Sequence, residues 1–316
     1  MLEDRDWVEG RACGKVILFG EHAVVYGAQA LAVAIPDGVI ARAHRIDGSA
    51  TLNIPSWSLQ CVLAAGGDER GEALPQAMLR RICRELSVEP AGFRIDVETH
   101  IAAASGLGAS AALAIACCRA LAALYSLPVD DARANAIAFA CEQLAHGKPS
   151  GIDNTLACYG GVRGFRRADD DVLTLESLQL QQSLNLLLVH SGKQGKTAEQ
   201  VAKVASARAR EPQRVTGIFQ EIDQIGRLAM AELRATGTLV CGPLFRRNQA
   251  LLHALGVSCA EIDSLVDIAE EAGATGAKLT GSGGGGSVIV DPGANCTDIE
   301  QALREAGFRP QRLSLG

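Results

Sequence analysis

The stretch Ser105-Gly106-Leu107-Gly108-Ala109-Ser110-Ala111-Ala112 constrains this chain most, because its two flanks demand different secondary structures. On its N-terminal side Phe93, Ile95, Val97 and Ile101 alternate with Arg94, Asp96, Glu98 and His100, the period of two that predicts a half-buried strand. On its C-terminal side Leu113, Cys117, Ala120 and Leu124 recur at helical spacing in an alanine-rich run. A strand therefore runs into a glycine turn, and the turn opens a helix. Glycines let the backbone approach a ligand closely, and the first turn of a helix offers unpaired N–H donors and a partial positive charge. Together these make an anion site, most often used for phosphate. The same residues also suit a plain tight turn with positive φ at one or two glycines, so the rest of the chain has to decide.

Composition removes several classes of function. The chain has 316 residues, 48% hydrophobic and 21% charged, which predicts a soluble globular protein with one large domain or two ordinary ones. A net charge of −6 leaves no electrostatic footprint for nucleic acid or an anionic membrane, and neither is expected as a partner. The pairs Arg166-Arg167 and Arg246-Arg247 read as solvated surface. The N-terminus has no basic region followed by an apolar stretch, so no signal peptide is expected. The apolar run 111–125 is broken by Arg119 and is too short to span a bilayer. Ten cysteines form no C-x-x-C pair and lie mostly in apolar segments, as reduced core residues do, so the expected compartment is the cytoplasm.

Taken in order, residues 16–19 form a short apolar strand ending at Gly20, and a second apolar run continues to Ile35 before a turn at Pro36-Asp37-Gly38. Lys15, Glu21 and His22 place three polar functions around the first strand; singly, each also suits a surface charge or a satisfied core histidine. Residues 39–54 alternate as strand, 56–71 read as loop, and 72–87 form an amphipathic helix with Leu74, Met78, Ile82 and Leu86 on one face. A helix from about 130 to 145 stops at Gly147 and Pro149, and Ser150-Gly151-Ile152-Asp153-Asn154 follows as a tight loop. Glu142 and His146 share a helical face, but the H-E-x-x-H zinc pattern is absent; a carboxylate offered to Mg²⁺ suits the spacing better.

The segment 190–197, His-Ser-Gly-Lys-Gln-Gly-Lys-Thr, narrowly misses the P-loop pattern, since His190 stands where its first glycine belongs. It reads instead as strand, loop and helix, with Thr197 near the helix start as a cap or a substrate contact. Helical patterns then fill about 198–209, 214–236, 243–256 and 258–272. The run Gly281-Ser282-Gly283-Gly284-Gly285-Gly286 interrupts two apolar strands that should pair as a hairpin; ordering so many glycines implies that something needs bare backbone there. A helix at 297–307 and a strand at 309–315 complete the chain.

The glycine elements stand near both ends and in the middle, and in this order they resemble the three signature motifs of the GHMP kinases (galactokinase, homoserine, mevalonate and phosphomevalonate kinases). Gly14-Lys15-Val16 through Gly20-Glu21-His22-Ala23-Val24-Val25-Tyr26-Gly27 is similar to the first motif of the members that act on mevalonate. Gly147-Lys148-Pro149-Ser150-Gly151-Ile152-Asp153-Asn154 resembles their catalytic aspartate loop, and Lys278-Leu279-Thr280-Gly281 through Gly286 their third motif. Sugar-specific members usually show Thr-Asp-Tyr after the Glu-His, where this chain has Ala-Val-Val-Tyr.

The resemblance implies an α+β protein with the two-domain GHMP kinase fold. Its N-terminal α/β domain, 1–180, would contain a left-handed βαβ crossover, the ATP phosphate loop and the catalytic aspartate. Its C-terminal domain, 181–316, would be ferredoxin-like and carry the third motif, with the active site between the two. The resemblance further implies Asp153 as the base for the substrate hydroxyl, with Lys15 beside it, and Ser105, Gly106, Leu107, Gly108, Ala109, Ser110 and Ala111 around the ATP phosphates. It assigns Ser110 and Glu142 to Mg²⁺, and Glu21, His22, Asp153, Thr197, Gly283 and Gly284 to the substrate. The implied reaction is phosphorylation of the primary hydroxyl of mevalonate by ATP, in a homodimer; the alternatives are a sibling GHMP kinase acting on phosphomevalonate, homoserine or a sugar, and a non-catalytic binding module of the same fold. Three residues depart from the family's second motif: Ala102 replaces a proline, Ala104 a glycine and Ala109 a serine. Ala104, which removes a glycine, bears on close backbone approach and hence on nucleotide affinity more than on the chemistry, while Ser110 is retained.

Overall fold

The structure is a computed structural model and describes residues 7–64, 66–67, 69, 72–103, 105–146, 149–168 and 172–316. The elements in chain order are β1 (Val8–Phe19), β2 (Ala30–Ser49), β3 (Thr51–Ile54), β4 (Leu59–Val62), α1 (Leu74–Leu86), β5 (Ala91–Thr99), α2 (Ala109–Leu124), α3 (Asp131–His146), α4 (Ile152–Tyr159), β6 (Val162–Arg167) and β7 (Leu173–Leu178). There follow β8 (Leu184–His190), α5 (Thr197–Arg210), α6 (Pro212–Thr236), α7 (Gly242–Leu255), α8 (Ala260–Glu271), β9 (Gly276–Thr280), β10 (Ser287–Asp291), α9 (Cys296–Glu305) and β11 (Gln311–Leu315). By packing the chain forms two units. One comprises Met1–Gly14, Ile35–Ala103 and Gly108–Gly160; the other comprises Lys15–Ala34, Ala104–Leu107 and Gly161–Gly316.

The first unit holds a mixed sheet in the order β4-β3-β5-β2, with β3 parallel to β5 and the other neighbours antiparallel. The parallel pair is reached through β4 and α1, as parallel strands require a crossover. Helix α2 explains the alanine-rich run: Ala111 to Cys118 are all buried, and it packs among α1, α3 and α4. A helix apolar on every side must be central. A Cβ at Gly10 would stand 2.1 Å from the Ala116 carbonyl oxygen, so β1 lies with its backbone directly on α2. Phe93, Ile95, Leu79 and Ile82 fill the core.

In the second unit, β8 pairs antiparallel with β10 and β11, and β10 pairs antiparallel with β9, giving the order β11-β8-β10-β9. The chain order β8, helices, β9, β10, α9, β11 makes this a ferredoxin-like sheet with four helices, rather than one, between its first two strands. Leu187, Val189, Leu279, Val288 and Val290 face a core closed by Val215, Ile222, Leu252, Leu265 and Leu303. The first residues of β2 also belong here, pairing with β6, which pairs with β7.

Three sequence expectations change. Pro36-Asp37-Gly38 is not a turn: β2 runs through it without a break. The extended backbone is held by Thr99 Oγ1 donating to the Gly38 carbonyl at 2.6 Å, and a Cβ at Gly38 would stand 2.2 Å from the Gly14 nitrogen. Residues 56–71 are not wholly loop, since Leu59–Val62 forms β4 against β3 across a short 3₁₀ turn at Pro55–Trp57. The loop expected at 150–154 gives way at Ile152 to helix α4, which Gly151 initiates at φ 85° and Thr155 Oγ1 braces by donating to the Gly151 carbonyl at 2.6 Å.

Candidate active site

The second unit gathers most of the first and third motifs. Lys15, on β1 and 3% exposed, donates from Nζ to the Gly106 carbonyl at 3.0 Å, and its backbone N–H donates to the Leu107 carbonyl at 3.0 Å. The lysine therefore sits under the Ser105–Leu107 turn. That turn is tied from the other side by Ser287 Oγ donating to the Ser105 carbonyl at 2.9 Å. Thr280 stitches β1 to β9: its Oγ1 accepts from the Ile17 N–H at 2.9 Å and donates to the Ile17 carbonyl at 3.1 Å.

After β1 the chain turns at Gly20 and enters a 3₁₀ turn at Ala23–Tyr26. Glu21, expected to face substrate, has a fully buried side chain in an ion pair with the equally buried Lys278, and its other oxygen accepts from Asn248 Nδ2 at 3.2 Å. His22 is nearly buried, and its Nε2 lies 2.8 Å from the Ser282 carbonyl oxygen. A carbonyl only accepts, so Nε2 carries the proton. Burial pushes the His22 pKa down, keeping the ring neutral and leaving Nδ1 as an acceptor. Thr197, the first residue of α5, pairs its hydroxyl with Ser282 Oγ at 3.2 Å. His22 and Thr197 thus converge on Ser282.

The glycine run of the third motif has positive φ at each of its five glycines. What needs bare backbone is first of all the protein itself. A Cβ would stand 2.1 Å from the Val257 carbonyl oxygen at Gly283, and 2.6 Å from the Lys193 carbonyl oxygen at Gly285. Gly284 N–H donates to Val257 O at 2.8 Å and Gly286 N–H to Lys193 O at 2.7 Å, so the loop 191–195 backs the run. His190 closes that loop by accepting the Gly192 N–H on Nδ1 at 3.0 Å.

In the first unit, Gly108 caps α2 at φ 72°, and the N–H groups of Ala109, Ser110 and Ala111 precede the first helical bond, Ala112 N–H to Gly108 O. Ser110 Oγ donates to Glu142 Oε1 at 2.6 Å, with Glu142 on α3 only 3% exposed. This pair of hard oxygens fits a cation that keeps most of its shell as water and phosphate oxygen. Among the described residues no group of three or more His, Cys, Asp or Glu could hold a metal by itself. Asp153 lies half-buried in the first turn of α4, where the helix N-terminus attracts a carboxylate. Asn154 beside it donates from Nδ2 to Asn135 Oδ1 at 2.7 Å. Ala104, Gly147 and Lys148, which carried part of the motif reading, lie outside the described residues.

Comparison with known proteins decides the family. The profile of the GHMP kinases N terminal domain matches residues 73–161, and that of the GHMP kinases C terminal matches 241–290. A mevalonate kinase of Methanothermobacter thermautotrophicus is 34% identical over 298 residues, covering 92% of this chain and 92% of that one. The chain belongs to the GHMP kinases. Among solved structures, L. major mevalonate kinase in complex with R-mevalonate is similar with a TM-score of 0.83 at 29% identity, covering 99% of this chain and 97% of that one. Methanococcus jannaschii mevalonate kinase is similar with a TM-score of 0.80 at 25% identity, covering 100% of both chains.

As a GHMP kinase the chain is a phosphotransferase that uses ATP and acts on a hydroxyl group. Among the described residues no helix is long and apolar enough to cross a membrane. Burial raises the thiol pKa of Cys83 and of Cys118 to about 12, so neither is a ready nucleophile. Reading the sequence missed Lys278 as the partner of Glu21, although a lysine in the apolar strand β9 is the kind of signal that marks a buried pair. Asn248, in mid-helix, gives no such signal.

Proposed function

We propose that this chain transfers the γ-phosphoryl group of ATP to the primary hydroxyl of mevalonate, giving 5-phosphomevalonate and ADP. The observation that carries the substrate is the near full-length similarity to mevalonate kinases, one of them in complex with R-mevalonate. Asp153 takes the proton of the attacking hydroxyl. A loose phosphoryl-transfer transition state needs positioning and charge neutralisation above all, and proton transfer comes late because bonding to the nucleophile is weak. The backbone of Ser105–Ala111 holds the ATP phosphates, using the N–H groups at the start of α2. Lys15 offers its charge to the transferring group while the Gly106 carbonyl fixes its reach. Ser110 and Glu142 are the oxygens for Mg²⁺, which when bound neutralises phosphate charge. His22 and Thr197 orient the acceptor, and Gly283 and Gly284 form the third-motif wall beside them.

The chain is further proposed to act in the cytoplasm as a homodimer, and to divide into GHMP kinase domains 1–180 and 181–316, although Lys15–Ala34 and Gly161–Leu180 pack with the second unit. Light scattering, fractionation and limited proteolysis check these points. The test of the function itself is the product. Incubation with Mg²⁺-ATP and R-mevalonate, followed by phosphorus NMR and mass spectrometry, should give one phosphomonoester on the primary carbon. Phosphate on the tertiary hydroxyl or the carboxylate, or ATP hydrolysis without transfer, overturns the proposal.

A further inference from the structure

The Glu21–Lys278 pair is too costly to be there for stability alone. Both side chains have zero exposure. A buried ion pair seldom exceeds in stability the apolar residues that could replace it, because desolvation offsets the attraction. Asn248, also at zero exposure, donates to Glu21 and leaves its own Oδ1 buried without a hydrogen-bond partner among the described residues. An apolar residue in its place would leave no such group. Lys278 cannot reach a phosphate in this arrangement. Its three N–H donors are engaged by Glu21, by the Leu279 carbonyl at 2.6 Å and by the Ile17 carbonyl at 3.4 Å.

The residue next to Glu21 shows what the cluster is for. His22 sits at φ 59°, ψ −47°, outside the left-handed well that glycine and asparagine visit. Ser58 and Ser87 also have positive φ, but with ψ of 38° and 40° they lie inside it. Such a conformation persists only where the surroundings over-determine it. On one side His22 is joined through the backbone to Glu21, whose carboxylate is pinned to β9 and α7; on the other its ring is held by Ser282.

We propose that Lys278 and Asn248 are positioning residues that act through Glu21 on His22, fixing its imidazole for the acceptor alcohol. Glu21 then touches no substrate and belongs to the same device. This rests on the reading of mevalonate as acceptor and His22 as its contact.

The test begins with Glu21→Gln/Lys278→Met, which removes both charges together so that neither is left buried alone. If the device positions His22, this variant folds by circular dichroism, the KM for mevalonate rises about tenfold, and kcat and the KM for ATP stay within about twofold. In a His22→Ala background the same two substitutions add nothing further, because the effect passes through that ring. An unchanged KM for mevalonate makes the pair merely structural and overturns the proposal, as does full additivity with His22→Ala. Should the neutral pair fail to fold, Asn248→Leu, which keeps both charges, carries the same cycle with the same two deciding outcomes. Wild-type protein that does not phosphorylate mevalonate refutes the substrate reading instead, so the two failures are distinct.

Discussion

Gly106 and Gly192 share nearly the same φ, +81° and +80°, in different surroundings. A Cβ at Gly106 would stand 2.8 Å from the Thr280 carbonyl oxygen, whereas at Gly192 it meets nothing within 4 Å. Replacing either by alanine costs the left-handed conformation of an L-residue, about 1–2 kcal/mol. Only Gly106→Ala must also move a backbone. Thr280 is 1% exposed and bonded twice to Ile17, so the Ser105–Leu107 turn is the part that yields. Lys15 Nζ, bonded to the Gly106 carbonyl, moves with it. Calorimetry should find both variants folded, with Tm lowered by roughly 2–8 °C in Gly192→Ala and further in Gly106→Ala. ADP-release kinetics should then separate them. Gly192→Ala keeps the wild-type kcat/KM for ATP, whereas Gly106→Ala loses at least about tenfold, since a misplacement of about 1 Å can cost about a hundredfold. Wild-type kinetics in Gly106→Ala, or equal loss in both, refutes the reasoning that the turn is held by β9 for nucleotide binding.

Asp153→Asn should lower kcat by about 10²–10⁴-fold with the KM for ATP little changed, as loss of a general base predicts; a fall confined to KM contradicts the role. Glu142→Gln should raise the Mg²⁺ concentration needed for half-maximal activity more than Ser110→Ala does, because it removes the charged oxygen; Mg²⁺ titrations at saturating ATP check this. Burial holds the His22 pKa below 6.5, so under pH 6.5 the unfolded ring takes up a proton that the folded ring refuses. The stability His22 contributes is therefore full above pH 6.5 and falls by about 1.4 kcal/mol per unit as pH drops toward the folded pKa. Relative to His22→Gln, the wild type should lose Tm between pH 7.5 and 5; parallel Tm curves contradict this.

The elements with a strong period were legible in the sequence because one face decides them: α1, β5, α2 and the strands of the ferredoxin-like sheet fall where the apolar pattern puts them. Pro36-Asp37-Gly38 was not, because a turn-like composition is overruled by Gly14 and Thr99, which are far away in sequence. The helix at Asp153 was hidden by Gly151, a residue that ends helices as readily as it begins one here. The third-motif glycines were recognised as a demand for bare backbone, but the neighbours making it, Val257 and Lys193, could be found only in three dimensions. Glu21 was legible as chemistry and not as geometry: nothing in the first motif says that its carboxylate turns inward to Lys278.

ADP release measured with Mg²⁺-ATP against mevalonate, phosphomevalonate, homoserine and galactose, with Asp153→Asn run beside the wild type, reads acceptor choice and the role of Asp153 in one experiment. Turnover confined to mevalonate and lost in the variant is the predicted result. Turnover of another acceptor in preference to mevalonate, or an Asp153→Asn variant as active as the wild type, contradicts it.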